Sequence, residues 1–519
     1  MAFAELRESV ARLADQGLSS LALYERLEAL LVSGGDARLT LSRPARRNAY
    51  GCTPFPDPLL LDFASSTASL ISEAAYARVE RARTGLLARA AAVGLEQAFE
   101  HSVEDARSAL RGYFGIGDAE IVFSPSGTDA QLQALFLVKA LLGAPLVSII
   151  AGADQTGRGT AHTARGHHFS SCTAQGMQVD EGAALAGLGE NLRTVEIPFC
   201  DAQGHLRDEA GMDAAVAGAV ETAIAGGAKV LLQALDSSKL GWRAPSAACV
   251  AALARRWPDD LRVVIDACQM RLGAERLRRY LDQGFLVLAT GSKYFTGPPF
   301  SGALLVPPML ASAIDAVQSA PAGLCDYSNV FDWPRRWPKL RAAFPKSPNY
   351  GQWLRWEAAL EEMRAYFAVP QSFREAVLGE CAAQIPQLIS ASGNLALLDA
   401  RQDDDALDGE MRHRSIFAFV PHRDGRALTL EECGPLYRAM SRDLSRHAAI
   451  QDRAVAARLC QIGQPVALHH RPGAALRLCV SARLVTNCFT ADAIEVELVN
   501  AAAIIEKIEW LIAHPDAAA

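Results

Sequence analysis

Residues 285–307 read FLVLATGSKYFTGPPFSGALLVP. Two apolar, strand-like runs, FLVLAT (285–290) and GALLVP (302–307), flank a loop rich in Gly, Ser, Thr and Pro. One lysine, Lys293, lies just past the first run. A lysine between two buried strands must be paired, neutralised or used covalently, because an ammonium is costly to remove from water. The alternative is a solvated loop lysine, which the apolar, Gly/Pro-rich surroundings of Lys293 disfavour. A desolvated site also lowers an amine's pKa, which suits a lysine that forms a Schiff base.

The same texture continues upstream. EIVF (120–123), LVSII (146–150), KVLLQAL (229–235) and RVVIDA (262–267) are short apolar runs separated by helical stretches. Uniformly apolar strands alternating with helices predict an α/β fold, with a mostly parallel central sheet flanked by helices. Such sheets bind ligands beyond their strand ends, and two of these ends carry polar groups. The first is Ser124-Pro125-Ser126-Gly127-Thr128-Asp129, which opens a helix over 129–142. Gly127 lets backbone approach a ligand, Thr128 can cap the helix, and the free N–H groups at the helix start make an anion cradle. Taken alone, the stretch also reads as an ordinary Ser/Thr cap in a tight turn. The second is Asp266, closing RVVIDA, with Gln269 three residues on. A partly desolvated carboxylate needs a cationic partner; the alternative is a cap for the next helix.

The rest of the 519 residues sets bounds. Half are hydrophobic and 21% charged, which predicts a large core and more than one domain. A net charge of −7 argues against a nucleic-acid partner. The 11 cysteines form no CxxC pair, so no metal site is expected and the thiols read as reduced core residues. The opening MAFAELRESVARLADQ is charged from Glu5 onward, and nowhere do 18 apolar residues run together. The expectation is a soluble, cytoplasmic protein with no membrane partner. Texture divides the chain into an N-terminal helical segment (1–114), a large α/β domain (115–310), a linker (311–349) and a small α+β domain (350–519). Within these, residues 1–33 and 68–112 read as helical. In the last part, 352–366, 430–446 and 491–513 read as helices, and SIFAFVP (415–421) and ALRLCVSARLV (475–485) as strands. GIGD (115–118) has no strand before it and is not a dinucleotide loop.

Order and spacing unite the three strand ends: cradle first, then Asp266, then Lys293 27 residues later. The Ser-Gly-Thr cradle, the Asp266-Ala267-Cys268-Gln269 run and the Thr290-Gly291-Ser292-Lys293 run together resemble fold-type I pyridoxal-phosphate (PLP) enzymes, the aspartate aminotransferase superfamily. The nearest branch is that of class V aminotransferases and cysteine desulfurases, and the resemblance covers roughly 60–500. It implies PLP as cofactor, held by Lys293 as a Schiff base, with Lys293 also moving the proton at the substrate α-carbon. It implies that Asp266 pairs with the pyridine nitrogen and Gln269 with the ring hydroxyl. Ser126, Gly127, Thr128, Thr290 and Ser292 would hold the phosphate, Ser292 standing where the family often has histidine. The family also stacks a side chain on the ring soon after the strand at 146–150; Gln155 is nearest the expected position and His162 is the better stacker, and both stay open. Arg477 resembles the family's small-domain arginine for the substrate carboxylate, the alternative being a solvent-facing strand residue. A more weakly marked cofactor contact is Ser237 or Ser238. A twofold homodimer is implied too, with Asn349-Tyr350-Gly351 resembling the stretch that reaches the neighbouring subunit's site.

The fold does not fix the reaction. The leading expectation is an enzyme acting on a small amino-acid substrate, most simply a class V-type aminotransferase. The alternatives are a PLP lyase working at the β-carbon or a carbon–sulfur bond, and a PLP-binding protein without catalysis. A cysteine desulfurase is disfavoured. By the family pattern of Pro465 and Arg477, its nucleophile position falls on Ile462; Cys460, two residues away, reads as packing at the end of the helix RAVAARLC (453–460).

Overall fold

The computed structural model describes residues 22–43, 45–399, 406–491 and 493–518. Of the helical pattern expected over 1–33, residues 1–21 lie outside these; beyond them a short helix, Leu27–Leu31, buries Leu27, Leu30 and Leu31.

In chain order the strands are β1 (Leu60–Phe63), β2 (Glu120–Ser124), β3 (Leu146–Ala151), β4 (Leu192–Ile197), β5 (Lys229–Leu235), β6 (Leu261–Asp266), β7 (Leu286–Thr290) and β8 (Gly302–Val306). They are followed by β9 (Leu395–Leu397), β10 (Ile416–Arg423), β11 (Arg426–Ala427), β12 (Leu459–Ala467) and β13 (Ala474–Cys479). The large sheet runs β2-β8-β7-β6-β5-β3-β4. Strands β4, β3, β5, β6 and β7 are mutually parallel, and β8 is antiparallel to both β7 and β2. The fold is therefore α/β, with a mostly parallel sheet flanked by helices, as the apolar runs predict. Strand β4 has no counterpart among those runs. It is the sheet edge, and Leu192–Ile197 is largely open to solvent, so it never had to be uniformly apolar.

The second sheet runs β1-β12-β13-β10-β11, with β9 also on β10. Its edge strand β1 precedes the whole large sheet and pairs in parallel with β12, Leu60 opposite Leu459 and Phe63 opposite Ile462. Three local expectations need correction. The strand expected over 475–485 ends at Cys479, and a helix starts at Ala482 after Ser481 accepts the Leu484 N–H at 3.2 Å. The helix expected over 430–446 stops at Ala439, whereas the one expected over 491–513 forms as Ile494–Ala513. Cys460 is not the end of a helix: the helix Arg453–Ala457 stops first, and Cys460 is the second residue of β12.

Helices Glu73–Val93 and Leu95–Phe114 cover one flank. Against the first of them lies Tyr350–Ala368, almost wholly buried from Tyr350 to Met363, which also contacts the helix at 482–491 and so ties the two sheets together. Residues 311–349 are folded onto this frame: Trp333 stacks on Phe344 at 4.9 Å and meets Phe136 of the helix Gly127–Leu142 at 5.9 Å. All eleven cysteines are free thiols. Among the described residues, no helix is long and apolar enough to cross a membrane, and no group of three or more His, Cys, Asp and Glu side chains is placed to hold a metal ion.

Candidate active site

The reversal between β7 and β8 creates the central feature. The chain leaves β7 at Thr290 and returns antiparallel at Gly302, so the intervening loop sits at the carboxyl end of the sheet. Lys293 lies in that loop, its ammonium donating to the Thr67 carbonyl and standing 5.9 Å from the centre of the Tyr50 ring. Burial, then the positive charge of Arg477, pulls its pKa down to about 7. An amine so placed has lost its proton in about half of the molecules near neutrality and can attack a carbonyl.

Asp266 ends β6 beside it. Its carboxylate accepts the Cys268 N–H at 3.1 Å, and burial raises its pKa. No cationic side chain forms an ion pair with it among the described residues.

The cradle closes the third side. The helix begins at Gly127, and its cap is Ser126 rather than Thr128: the Ser126 hydroxyl accepts the Asp129 N–H at 3.3 Å. A β-carbon on Gly127 would lie 2.5 Å from Cys268 Sγ, so only glycine lets the helix start abut the Asp266 loop. Thr290 ties this corner to the same loop, its hydroxyl donating to the Cys268 carbonyl at 2.7 Å. Ser292 is buried, and Thr128 is half-buried at the cradle.

Gln269 is turned inward. Its amide donates to the Ser66 carbonyl at 3.0 Å, and its oxygen accepts from Arg271, which also holds Ser65 and Ser415 at 2.8 and 3.0 Å. Arg477 settles its own alternative: at 1% exposure it does not face solvent. It donates to the Lys239 carbonyl (3.1 Å), the Thr67 hydroxyl (3.0 Å) and the Gln464 carbonyl (2.6 Å), while its buried Nε has no partner. Thr67 thus touches Lys293 with its carbonyl and Arg477 with its hydroxyl.

Gln155 and His162 part company. Gln155 follows β3 at 3% exposure, with its side-chain oxygen unpartnered. The His162 side chain is 31% exposed and lies 4.0 Å from Glu181. Ser238 spends its hydroxyl on the turn after β5, accepting from Leu240 and Trp242. Asn349-Tyr350-Gly351 is held within its own chain. The Asn349 amide donates to Gly34 at 2.9 Å, Tyr350 is buried, and a β-carbon on Gly351 would meet the Leu30 and Ser33 carbonyls at 2.5 Å. The stretch is packed against its own N-terminal segment.

That N-terminal segment brings the residues sequence reading missed. Asp36 and Arg38 form a forked pair with contacts of 2.6–3.0 Å, and Arg38 reaches Ser126 Oγ at 3.4 Å and the Tyr50 hydroxyl at 3.3 Å. Asp129, under the same cap, is pushed up to about 7 by burial and then by Asp36. Residues 40–62 look irregular in sequence, and neither they nor Asp36 and Arg38 carry a local pattern that points to the site.

No family model matches the chain, and no curated protein matches it in sequence. Among solved structures it is similar to mouse CSAD in apo form, at 14% identity and a TM-score of 0.48 over 86% of this chain and 85% of that one. It is similar to Oryza sativa TDC with PLP and tryptamine, at 15% identity and 0.48 over 84% and 83%. It is also similar to the cysteine desulfurase CsdA (S-sulfonic acid) from Escherichia coli, at 12% identity and 0.48 over 87% and 95%.

Proposed function

We propose that this chain is a fold-type I PLP-dependent enzyme acting on an amino acid, most simply as a class V-type aminotransferase. The observation that carries this is a half-buried lysine whose pKa is drawn down to about 7, sharing a strand-end corner with a half-buried carboxylate and a glycine-started helix. The residues suit the cofactor. The helix start at Gly127 offers free N–H groups to a phosphate, with Ser126, Thr128, Thr290 and Ser292 around it. Asp266 lacks the cation that a ring nitrogen would supply, and Gln155 offers an unsatisfied oxygen beyond β3. When bound, PLP supplies an electron sink for chemistry at the substrate α-carbon. Lys293 is then the covalent anchor and the base that takes the α-proton, Asp266 keeps the ring nitrogen protonated, and Arg477 grips the α-carboxylate. Gln269 is the partner proposed for the ring hydroxyl, which would require it to exchange one of its present contacts. Gln269 and Arg477 are buried and Lys293 and Asp266 half-buried, which limits the access of water to the reacting atoms.

Incubation of the purified protein with a panel of amino acids and an added keto acid tests the reaction class. An aminotransferase returns a new keto acid and a new amino acid in equal amounts. Ammonia or carbon dioxide without amino transfer identifies the lyase instead.

Arg477→Ala should raise KM for an amino acid about 10–100-fold, the cost of a lost charge-assisted contact. KM for the matching amine without a carboxylate should change little. Equal effects on both substrates would make Arg477 purely structural.

A desulfurase is disfavoured here. Ile462 is buried in β12, and Cys460 is fully buried with its thiol pushed up to about 11 by that burial. Sulfide release from cysteine in the presence of a reductant should therefore be slow and unchanged by Cys460→Ser. Rapid release abolished by that substitution would contradict the assignment. A twofold homodimer is also proposed, and it predicts a solution mass twice the 55.5 kDa of the chain.

A further inference from the structure

Several cationic side chains converge where the large sheet's strand ends meet β13, and they are not equally satisfied. Arg38 has its own carboxylate in Asp36. Lys293 donates to the Thr67 carbonyl. Arg477 is surrounded by neutral oxygens, with one buried N–H left over. The fourth cation is Lys239, in the turn after β5.

That turn is rigid. Besides the two contacts accepted by its hydroxyl, Ser238 donates its N–H to the Trp242 carbonyl at 2.8 Å. Its shape sets the Lys239 carbonyl 3.1 Å from Arg477, so the backbone of Lys239 lies against the arginine, and Arg477 and Asp266 are among the charges its ammonium feels. Lys239 is half-buried and makes neither an ion pair nor a hydrogen bond through its ammonium among the described residues. Burial, then the charges of Arg477 and Arg158, pulls it down to about 8, and Asp266 is the carboxylate that opposes this.

The phosphate charge is met at the helix start at Gly127, with Arg38 3.4 Å from Ser126 Oγ, and one substrate carboxylate then leaves a cation over. In the proposed function Asp266 belongs to the ring nitrogen and the α-carboxylate belongs to Arg477. Lys239 is left as a partly desolvated ammonium beside a guanidinium. Such a group is stabilised when an anion arrives and is costly while it waits.

We infer that the substrate is an acidic amino acid bearing a second carboxylate, and that Lys239 is the residue that recognises that distal group. The inference rests on the placement of the α-carboxylate at Arg477.

Carboxylates without an amino group test this without any turnover. Calorimetric titration of the PLP-loaded protein with succinate, glutarate and butyrate should show the better dicarboxylate binding at least about tenfold tighter than butyrate, the gain expected from one charge-assisted contact. Lys239→Met should remove that preference, and Lys239→Arg should keep it. Butyrate binding as tightly as both dicarboxylates, or a preference that survives Lys239→Met, overturns the inference. The wild-type ratio stands even if a variant fails to fold. Borohydride labelling of the same wild-type sample separates the two possible failures. A labelled Lys293 with no dicarboxylate preference overturns this inference alone, whereas an unlabelled Lys293 overturns the proposed function.

Discussion

Lys293→Ala is expected to lose turnover by at least about 10³-fold, because one substitution removes both the covalent anchor and the proton carrier at the α-carbon. The variant should still fold. Lys293 lies in a loop, and the hydrogen bond it gives up is a single one, to the Thr67 carbonyl. It should still take up PLP, since Gly127, Ser126 and the helix start are untouched, but without the absorption of a protein-bound Schiff base. Steady-state assays beside a cofactor-binding titration check both halves. A variant that keeps a tenth or more of the wild-type rate removes Lys293 from the chemistry.

Asp266→Ala should cost about 10²–10³-fold in turnover, corresponding to the roughly 3–5 kcal/mol that follows when a buried charged pair loses one partner. Its carboxylate also accepts the Cys268 N–H, and that loop abuts Gly127, so weaker cofactor affinity should accompany the rate loss. Asp266→Asn separates the two effects. It can keep a hydrogen bond from the Cys268 N–H but carries no charge, so affinity should recover more than rate. Equal recovery of both would make Asp266 a structural cap, the alternative its sequence position allows.

The interior of the large sheet was legible because β3, β5, β6, β7 and β8 are covered on both faces and are apolar along most of their length. Its edge β4 was not, since an exposed edge keeps polar residues. The run 475–485 misled because β13 and the following helix are both apolar, and the break between them is only Val480-Ser481. Lys293, Asp266 and Gly127 stood out because each follows a recognisable strand. Arg38 meets Ser126 across 88 positions, and Thr67 meets Lys293 across 226 and Arg477 across 410. No local pattern encodes such contacts; they exist only once β1 has joined β12 and drawn residues 64–67 under the lysine.

Chemical trapping at the lysine tests the central claim most directly. The purified protein is incubated with PLP across a pH series, reduced with borohydride, digested and mapped. The label should fall on the peptide containing Lys293, and labelling of cofactor-free protein should rise through about pH 7 rather than near 10.5, because burial and neighbouring cations favour the neutral amine. A label on Lys239, the other lysine of this site, or one spread over surface lysines with a midpoint near 10.5, would contradict the assignment.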